Sequence, residues 1–244
     1  MKLLPFNTFP KTTNKLYTHV DGTIKYMLKS YCGPDRFARY RREKLSLEHW
    51  NKAGFNVPQV YDKKIDSIQE PYLVISFVEG TLLRQYLSAN SHTYQDKLKT
   101  LTKLFEQISH RHDFAIQTND RYLIHYDPST GNIICTEKSF YFIDFETPAK
   151  KRKTVLELAA VEVATTCKWI VRDLGIEFLE EVMKLLVDSY KNHRFLLRLI
   201  VKRTTGRPFQ FYHRWRDRRR KTANPKKEVT KYDIADVLSD LLSR

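Results

Sequence analysis

The sequence predicts an α+β chain with a small β-rich lobe over residues 1–80 and a larger helical lobe over 81–244. Three observations carry that expectation. Before residue 80, apolar residues alternate in short runs bounded by turn signals, the pattern of strands. Beyond it they recur at three- and four-residue spacing over long stretches, the pattern of amphipathic helices. Between residues 124 and 147, in "IHYDPSTGNIICTEKSFYFIDFET", charged and amide groups are set among residues that favour burial. A cleft between two unlike lobes is a common ligand site.

Residues 14–31, "NKLYTHVDGTIKYMLKSY", read as two strands around Asp21-Gly22, a strong hairpin signal. Alternation after the turn sets Ile24, Tyr26 and Leu28 on one face and Lys25, Met27 and Lys29 on the other. "PDRFARYRREKLSLEHWNKAGF" reads as a helix begun at Pro34-Asp35 and ended at Gly54, with Phe37, Tyr40, Leu45, Leu47 and Trp50 as a rough apolar face. "QVYDKK" and "PYLVISFVEG" are two further strands, the second closed by Gly80. In the helical lobe, "YQDKLKTLTKLFEQISHRH", "TVLELAAVEVATTCKWIVRDL" and "EFLEEVMKLLVDSYKNHRFLLRLIVKR" are three strong helical patterns. Between the first two, "NIICT" and "SFYFIDF" form a short hairpin around "EKS".

At 244 residues, 41% hydrophobic and 13% aromatic, the chain has the composition of a folded globular protein and is too apolar for disorder. No run approaches the roughly 18 apolar residues of a membrane span. "MKLLPFNTFPKTTNK" has too short an apolar run, with a proline inside it, for a secretory signal. Cys32, Cys135 and Cys167 are scattered and odd in number, which fits a reducing cytoplasm rather than a disulfide framework. The net charge is +15, and residues 202–227 hold eleven Lys/Arg against Asp217 alone. Such a segment favours anionic partners: nucleic acid, phosphorylated glycolipid or an acidic membrane face. Its aromatics, Phe209, Phe211, Tyr212 and Trp215, are expected as core anchors on a helix, with stacking against RNA as the alternative.

Asp127 and Asn132 lie five residues apart in "DPSTGN", where Pro128 and Gly131 rule out a regular helix. The following hairpin returns Asp144 toward Asn132. Two carboxylates and an amide oxygen thus converge, a hard-oxygen set suited to magnesium and substrate phosphates. The spacing His125-Tyr126-Asp127 through Asn132, then Asp144-Phe145-Glu146, resembles the catalytic loop and metal motif of protein-kinase-like phosphotransferases. Where protein kinases have glycine this chain has Glu146, and "IDFE" looks more like aminoglycoside phosphotransferases, choline kinases and lipopolysaccharide-sugar kinases. The resemblance implies a bilobal kinase-like fold and an ATP- and Mg2+-dependent transfer to a hydroxyl. It makes Asp127 the catalytic base and Asn132 and Asp144 the magnesium ligands, with His125 bracing the loop.

The same resemblance asks for a lysine on the phosphates and a helix glutamate to hold it. Lys29 and Glu43 fill these places, with Glu48 as rival partner, and "RREKLSLEHWNKAGFNVP" is similar to the matching segment of Bud32-like and Kdo-kinase-like proteins. A glycine-rich phosphate loop is missing. Instead "PKTTNKLY" looks like the choline-kinase variant, in which Thr12, Thr13 and Asn14 offer donors to phosphate. "LVISFVEGTLLRQYL" is similar to the segment between lobes, where the backbone of Ser76, Phe77 and Val78 receives adenine. The short passage from Asp144 to the next helix favours a small or sugar acceptor. An anionic lipopolysaccharide core is the leading expectation, with the enzyme cytoplasmic and peripheral at the inner membrane face. The alternatives are a Bud32-type Ser/Thr protein kinase, and a non-catalytic module that holds nucleotide or nucleic acid.

Overall fold

A computed structural model describes residues 4–5, 14–149, 152–206, 208–223 and 229–243. It is an α+β fold of the bilobal kinase-like kind, with a small antiparallel sheet followed by a larger helical part. The N-terminal strands are β1 (Leu4–Pro5), β2 (Lys15–Asp21) and β3 (Ile24–Ser30). Asp21 pairs with Ile24, so the two-residue turn is Gly22-Thr23, one position later than the Asp-Gly signal implies. Gly22 adopts φ 62°, a conformation open to a residue without Cβ. Helix α1 (Arg36–Lys52) comes next, then β4 (Val60–Tyr61) and β5 (Tyr72–Ser76). The five strands form one antiparallel sheet in the order β1-β2-β3-β5-β4.

The apolar face expected of α1 is corrected in part. Phe37 and Leu45 are exposed at 57% and 65%, while Glu43, Leu47 and Trp50 are buried. Positions 43, 47 and 50 share one helix face, and that face meets the sheet and the loops below. A charged residue therefore takes a core position, because its partner waits there.

Beyond the sheet, β6 (Thr81–Leu82) leads into α2 (Leu83–Ser88) and α3 (Tyr94–Gln117). Strands β7 (Ile133–Cys135) and β8 (Phe140–Phe142) complete a second sheet in the order β6-β7-β8. Gly80 precedes it in close contact. A Cβ there would overlap the Cys135 carbonyl oxygen and lie 2.7 Å from Ile134 Cγ2. Because the obstacle is strand backbone, Gly80→Ala is expected to destabilise by about 1–3 kcal/mol. Chemical denaturation of the two proteins would measure it, and equal midpoints would contradict the packing.

The helical part continues with α4 (Val155–Leu174), α5 (Leu179–Ser189), α6 (Arg194–Thr205), α7 (Gln210–Ala223) and α8 (Lys231–Ser243). Helices α3 and α4 begin at capping boxes, Thr93 with Asp96 and Thr154 with Glu157, which satisfy the free N–H groups of the first turn. The single helical pattern expected over residues 177–203 is two helices. The chain bends at Tyr190–His193, where the buried Tyr190 hydroxyl meets His112 Nδ1 at 2.8 Å. The bend lets both α5 and α6 place leucines in one core, with Leu186, Leu196 and Leu197 fully buried beside Leu104, Ala159 and Leu238. Among the described residues, no helix is long and apolar enough to cross a membrane.

Candidate active site

A cavity of about 550 Å³ opens between the N-terminal sheet and the helical part. Met27 and Lys29 from β3, Ile75 and Ser76 from β5, and Phe77 and Val78 after it form one side. Ser129, Gly131, Asn132, Ile143, Asp144 and Glu146 form another.

Lys29 is the centre of the charge arrangement. Its ammonium lies 2.7 Å from Glu43 Oε2, 2.8 Å from Asp144 Oδ1 and 2.7 Å from Glu146 Oε1. Burial alone would lower the Lys29 pKa, but the carboxylates of Glu43, Asp144 and Glu146 outweigh it and raise it, so the ammonium is kept. The Glu43 pKa is raised as well, which for an acid disfavours the charged form. Burial raises its pKa beyond what the pull of Lys29 offsets, since Lys29 is shared among three acids. The Tyr31 hydroxyl donates to the same Glu43 oxygen at 2.7 Å. Glu48 takes no part, pairing instead with Lys44 at 3.7 Å on the outside of α1.

Asp144 stands at φ 67°, in the left-handed region that aspartate tolerates better than most residues. The turn separates two neighbours. Asp144 lines the cavity with 40% of its side chain exposed. Phe145 returns to the core, its ring 4.8 Å from Trp50 and 4.5 Å from His125. Burial would raise the Asp144 pKa, yet Lys29 lowers it overall, so the carboxylate stays ionised.

His125 ties the two motif segments together. Its Nε2 is 2.9 Å from the Ile143 carbonyl, and the Asp127 N–H donates to its Nδ1 at 3.2 Å. These partners require a neutral ring protonated at Nε2, and burial lowers its pKa accordingly. Asn132 Nδ2 donates to the Asp127 carbonyl at 2.9 Å and reaches Asp127 Oδ2 at 3.4 Å. Its Oδ1 accepts no hydrogen bond among the described residues. Asn132 and Asp144 both line the cavity, whereas Asp127 is not among its lining residues and meets it through its contact with Asn132.

The remaining expected residues are placed as follows. Asn14 lines the cavity, its Nδ2 donating to Glu146 Oε1 and its Oδ1 accepting from Arg39 at 3.1 Å. Thr12 and Thr13 lie outside the described residues. Phe77 and Val78 line the cavity, with Lys25 Nζ 3.7 Å from the Phe77 ring centre.

Several site groups escape sequence reasoning. Arg39 meets Glu146 Oε2 at 2.8 Å, and Arg42 Nε donates to the Glu146 carbonyl at 2.7 Å, so Glu146 latches α1 to the motif. Beneath the loop, buried Glu162 accepts from Arg111, His112 and the His125 N–H. Burial would raise the Glu162 pKa, but Arg111 and His112 bring it down to about 2. A glutamate inside the apolar run "LAAVEVA" was the available signal. On the loop's other flank, Thr130 Oγ1 donates to Asp173, which also meets Arg172 at 3.1 Å and Arg84 at 3.6 Å. Arg84 lines the cavity, and Arg84, Lys168 and Arg172 surround Trp169 at 5.6, 5.8 and 3.7 Å from its ring centre.

No protein-family model matches the chain. Over 110 residues it is 30% identical to the KEOPS complex subunit Bud32 of Pyrococcus abyssi (strain GE5 / Orsay), covering 45% of this chain and 44% of that protein. The likeness is to the kinase-like superfamily. It supports kinase-like phosphotransfer and the use of ATP, across less than half the length of the relative.

Proposed function

We propose that the chain is an ATP- and magnesium-dependent phosphotransferase acting on a hydroxyl of a small anionic acceptor, of the lipopolysaccharide-core sugar class. The observation that carries this reading is the position of Lys29 Nζ, shared between Glu43 and Asp144 on the wall of a cavity that Asn132 also lines. A buried, permanently charged lysine there is a fixed counter-charge for phosphate oxygens. Asn132 Oδ1 and ionised Asp144 are hard-oxygen donors that fit magnesium, which when bound neutralises charge on the transferring phosphoryl group. Asp127, oriented by His125 and Asn132, aligns the acceptor hydroxyl and receives its proton as the new oxygen–phosphorus bond forms and the bond to the nucleoside diphosphate breaks.

The acceptor class rests on Arg84 and Arg172. Arg84 lies against Gly131, and both it and Arg172 meet Asp173, the partner of Thr130, so two guanidiniums flank the loop along which an acceptor would approach Asp127. A carboxylated or phosphorylated sugar complements that charge. Arg84→Gln is therefore expected to raise the acceptor KM about fivefold, the upper end for a half-exposed ionic contact, with the ATP KM unchanged. An unaltered acceptor KM would remove Arg84 from recognition.

Thermal denaturation with ATP and magnesium, followed by label transfer from γ-labelled ATP to phosphorylated and carboxylated sugars, tests the reading. Stabilisation with transfer to such a sugar is expected. Stabilisation without transfer to any acceptor, including the chain itself, would make it a nucleotide-binding module. The Bud32 similarity favours a second reading, a Ser/Thr protein kinase, and transfer to protein hydroxyls alone would select it.

A further inference from the structure

The aromatics of the basic segment are not core anchors. Phe209, Phe211, Tyr212 and Trp215 are exposed at 72%, 76%, 48% and 49%. Phe211 and Trp215 are four residues apart on α7 and so form one ridge, with Tyr212, Arg218 and Arg219 exposed along its sides. The inward side of the helix is fixed. Arg214 makes a two-point contact with Asp236 of α8, both bonds at 2.6 Å, and its guanidinium lies 4.9 Å from the Tyr232 ring centre. Arg214 sits beside the ridge, and the half-buried His213, Arg216 and Asp217 lie on the side of α7 opposite it. Phe209, just before the helix, stands at φ 55°, a conformation disfavoured for a bulky residue and here combined with high exposure.

We infer that α7 is a docking surface for an anionic lipid bilayer, lying in the headgroup region with Phe211 and Trp215 inserted and the arginines against lipid phosphates. The charge is complementary, since the segment carries eleven Lys/Arg against one acid. The side-chain chemistry matches an interfacial helix, which combines aromatic rings on one side with cationic flanks. Single-stranded nucleic acid fits less well. Base stacking needs open ring faces in a groove that tracks the backbone. Here the ridge is the convex side of a helix, Tyr212 and Trp215 lean on each other at 5.9 Å, and Arg219 lies 4.3 Å from the Trp215 ring centre.

The test uses the full chain without nucleotide, so it is read independently of phosphotransfer. Sedimentation with phosphatidylcholine vesicles, with and without phosphatidylglycerol, is expected to show binding that requires the anionic lipid and weakens with salt. Trp215 emission should shift to shorter wavelength on binding, and Trp215→Phe should lose that shift. Arg218→Gln and Arg219→Gln should each weaken binding about fivefold. The double variant Phe211→Ser, Trp215→Ser should lose binding while keeping the wild-type melting temperature and ATP response, because neither ring is buried. Three results would overturn the inference: equal binding to both vesicles, wild-type binding by the folded double variant, or binding to a single-stranded RNA oligonucleotide with none to vesicles.

Discussion

Asp144→Ala is expected to leave the chain folded and to lower kcat about a thousandfold, the scale for removing one electrostatic contact to the transition state. The fold should survive because Asp144 is partly exposed, and because Lys29 keeps Glu43 and Glu146, each at 2.7 Å. The neighbouring Phe145 anchor against Trp50 is untouched. Activity should not survive under the proposed function, in which ionised Asp144 and Asn132, both on the cavity wall, are the magnesium donors. Asp127→Asn supplies the contrast. It removes the carboxylate proposed as proton acceptor without altering the Lys29 cluster, so ATP-dependent stabilisation should persist while kcat falls by about 10²–10⁴. Steady-state kinetics with a melting curve in ATP and magnesium separates the roles. Normal turnover in folded Asp144→Ala would refute the assignment.

Glu162→Ala is expected to destabilise the chain by about 3–5 kcal/mol, the range for breaking one side of a buried ion pair. Arg111, 1% exposed, would keep a charge with no carboxylate to meet it, and the His125 N–H would lose its acceptor. For a chain of this size that corresponds to a fall in Tm on the order of 10 °C. The pH dependence follows from the same network. Glu162 has its pKa depressed from 4.5 to about 2, so its stabilisation is complete above 4.5 and lost as pH falls toward 2. His112 and His125, both lowered from 6.5 chiefly by burial, act in the same direction, because the unfolded chain takes up their protons first. Wild-type stability should therefore decline as pH drops below about 6.5 and continue to decline below 4.5. In Glu162→Ala the second decline should shrink. Denaturation midpoints measured across this range would show it, and parallel curves would contradict the pairing.

Buried Glu162 shows why some of the site was hidden. Its partners Arg111, His112 and His125 come from α3 and from the loop ahead of β7, 37 to 51 positions away from Glu162 in the chain. Nothing near "LAAVEVA" says which cations will arrive. The Arg84–Asp173–Thr130 contacts are of the same kind, joining α2, the end of α4 and the motif loop. Glu146 could be read as a departure from glycine, but its latch to Arg39 and Arg42 depends on how α1 docks.

The Asn132–Asp127 contact and the shared cavity wall of Asn132 and Asp144 were legible because a short loop and a tight hairpin leave few ways to separate these residues. Strongly periodic helices were legible for the same reason, since their signals repeat within a few residues. Periodicity failed where it was weak or where the chain had to turn. Phe37 and Leu45 face solvent while Glu43 faces the core, and the run over residues 177–203 breaks at Tyr190 to meet His112. On α7 the composition shows four aromatics and a positive charge, but not their exposure. That depends on which side of α7 packs inward, the side of His213, Arg216 and Asp217 rather than that of Phe211 and Trp215. Backbone geometry links residues a few positions apart whatever surrounds them, so local pattern encodes elements and motif. Burial and ion pairing depend on groups brought together from distant segments, and those are set when the elements pack.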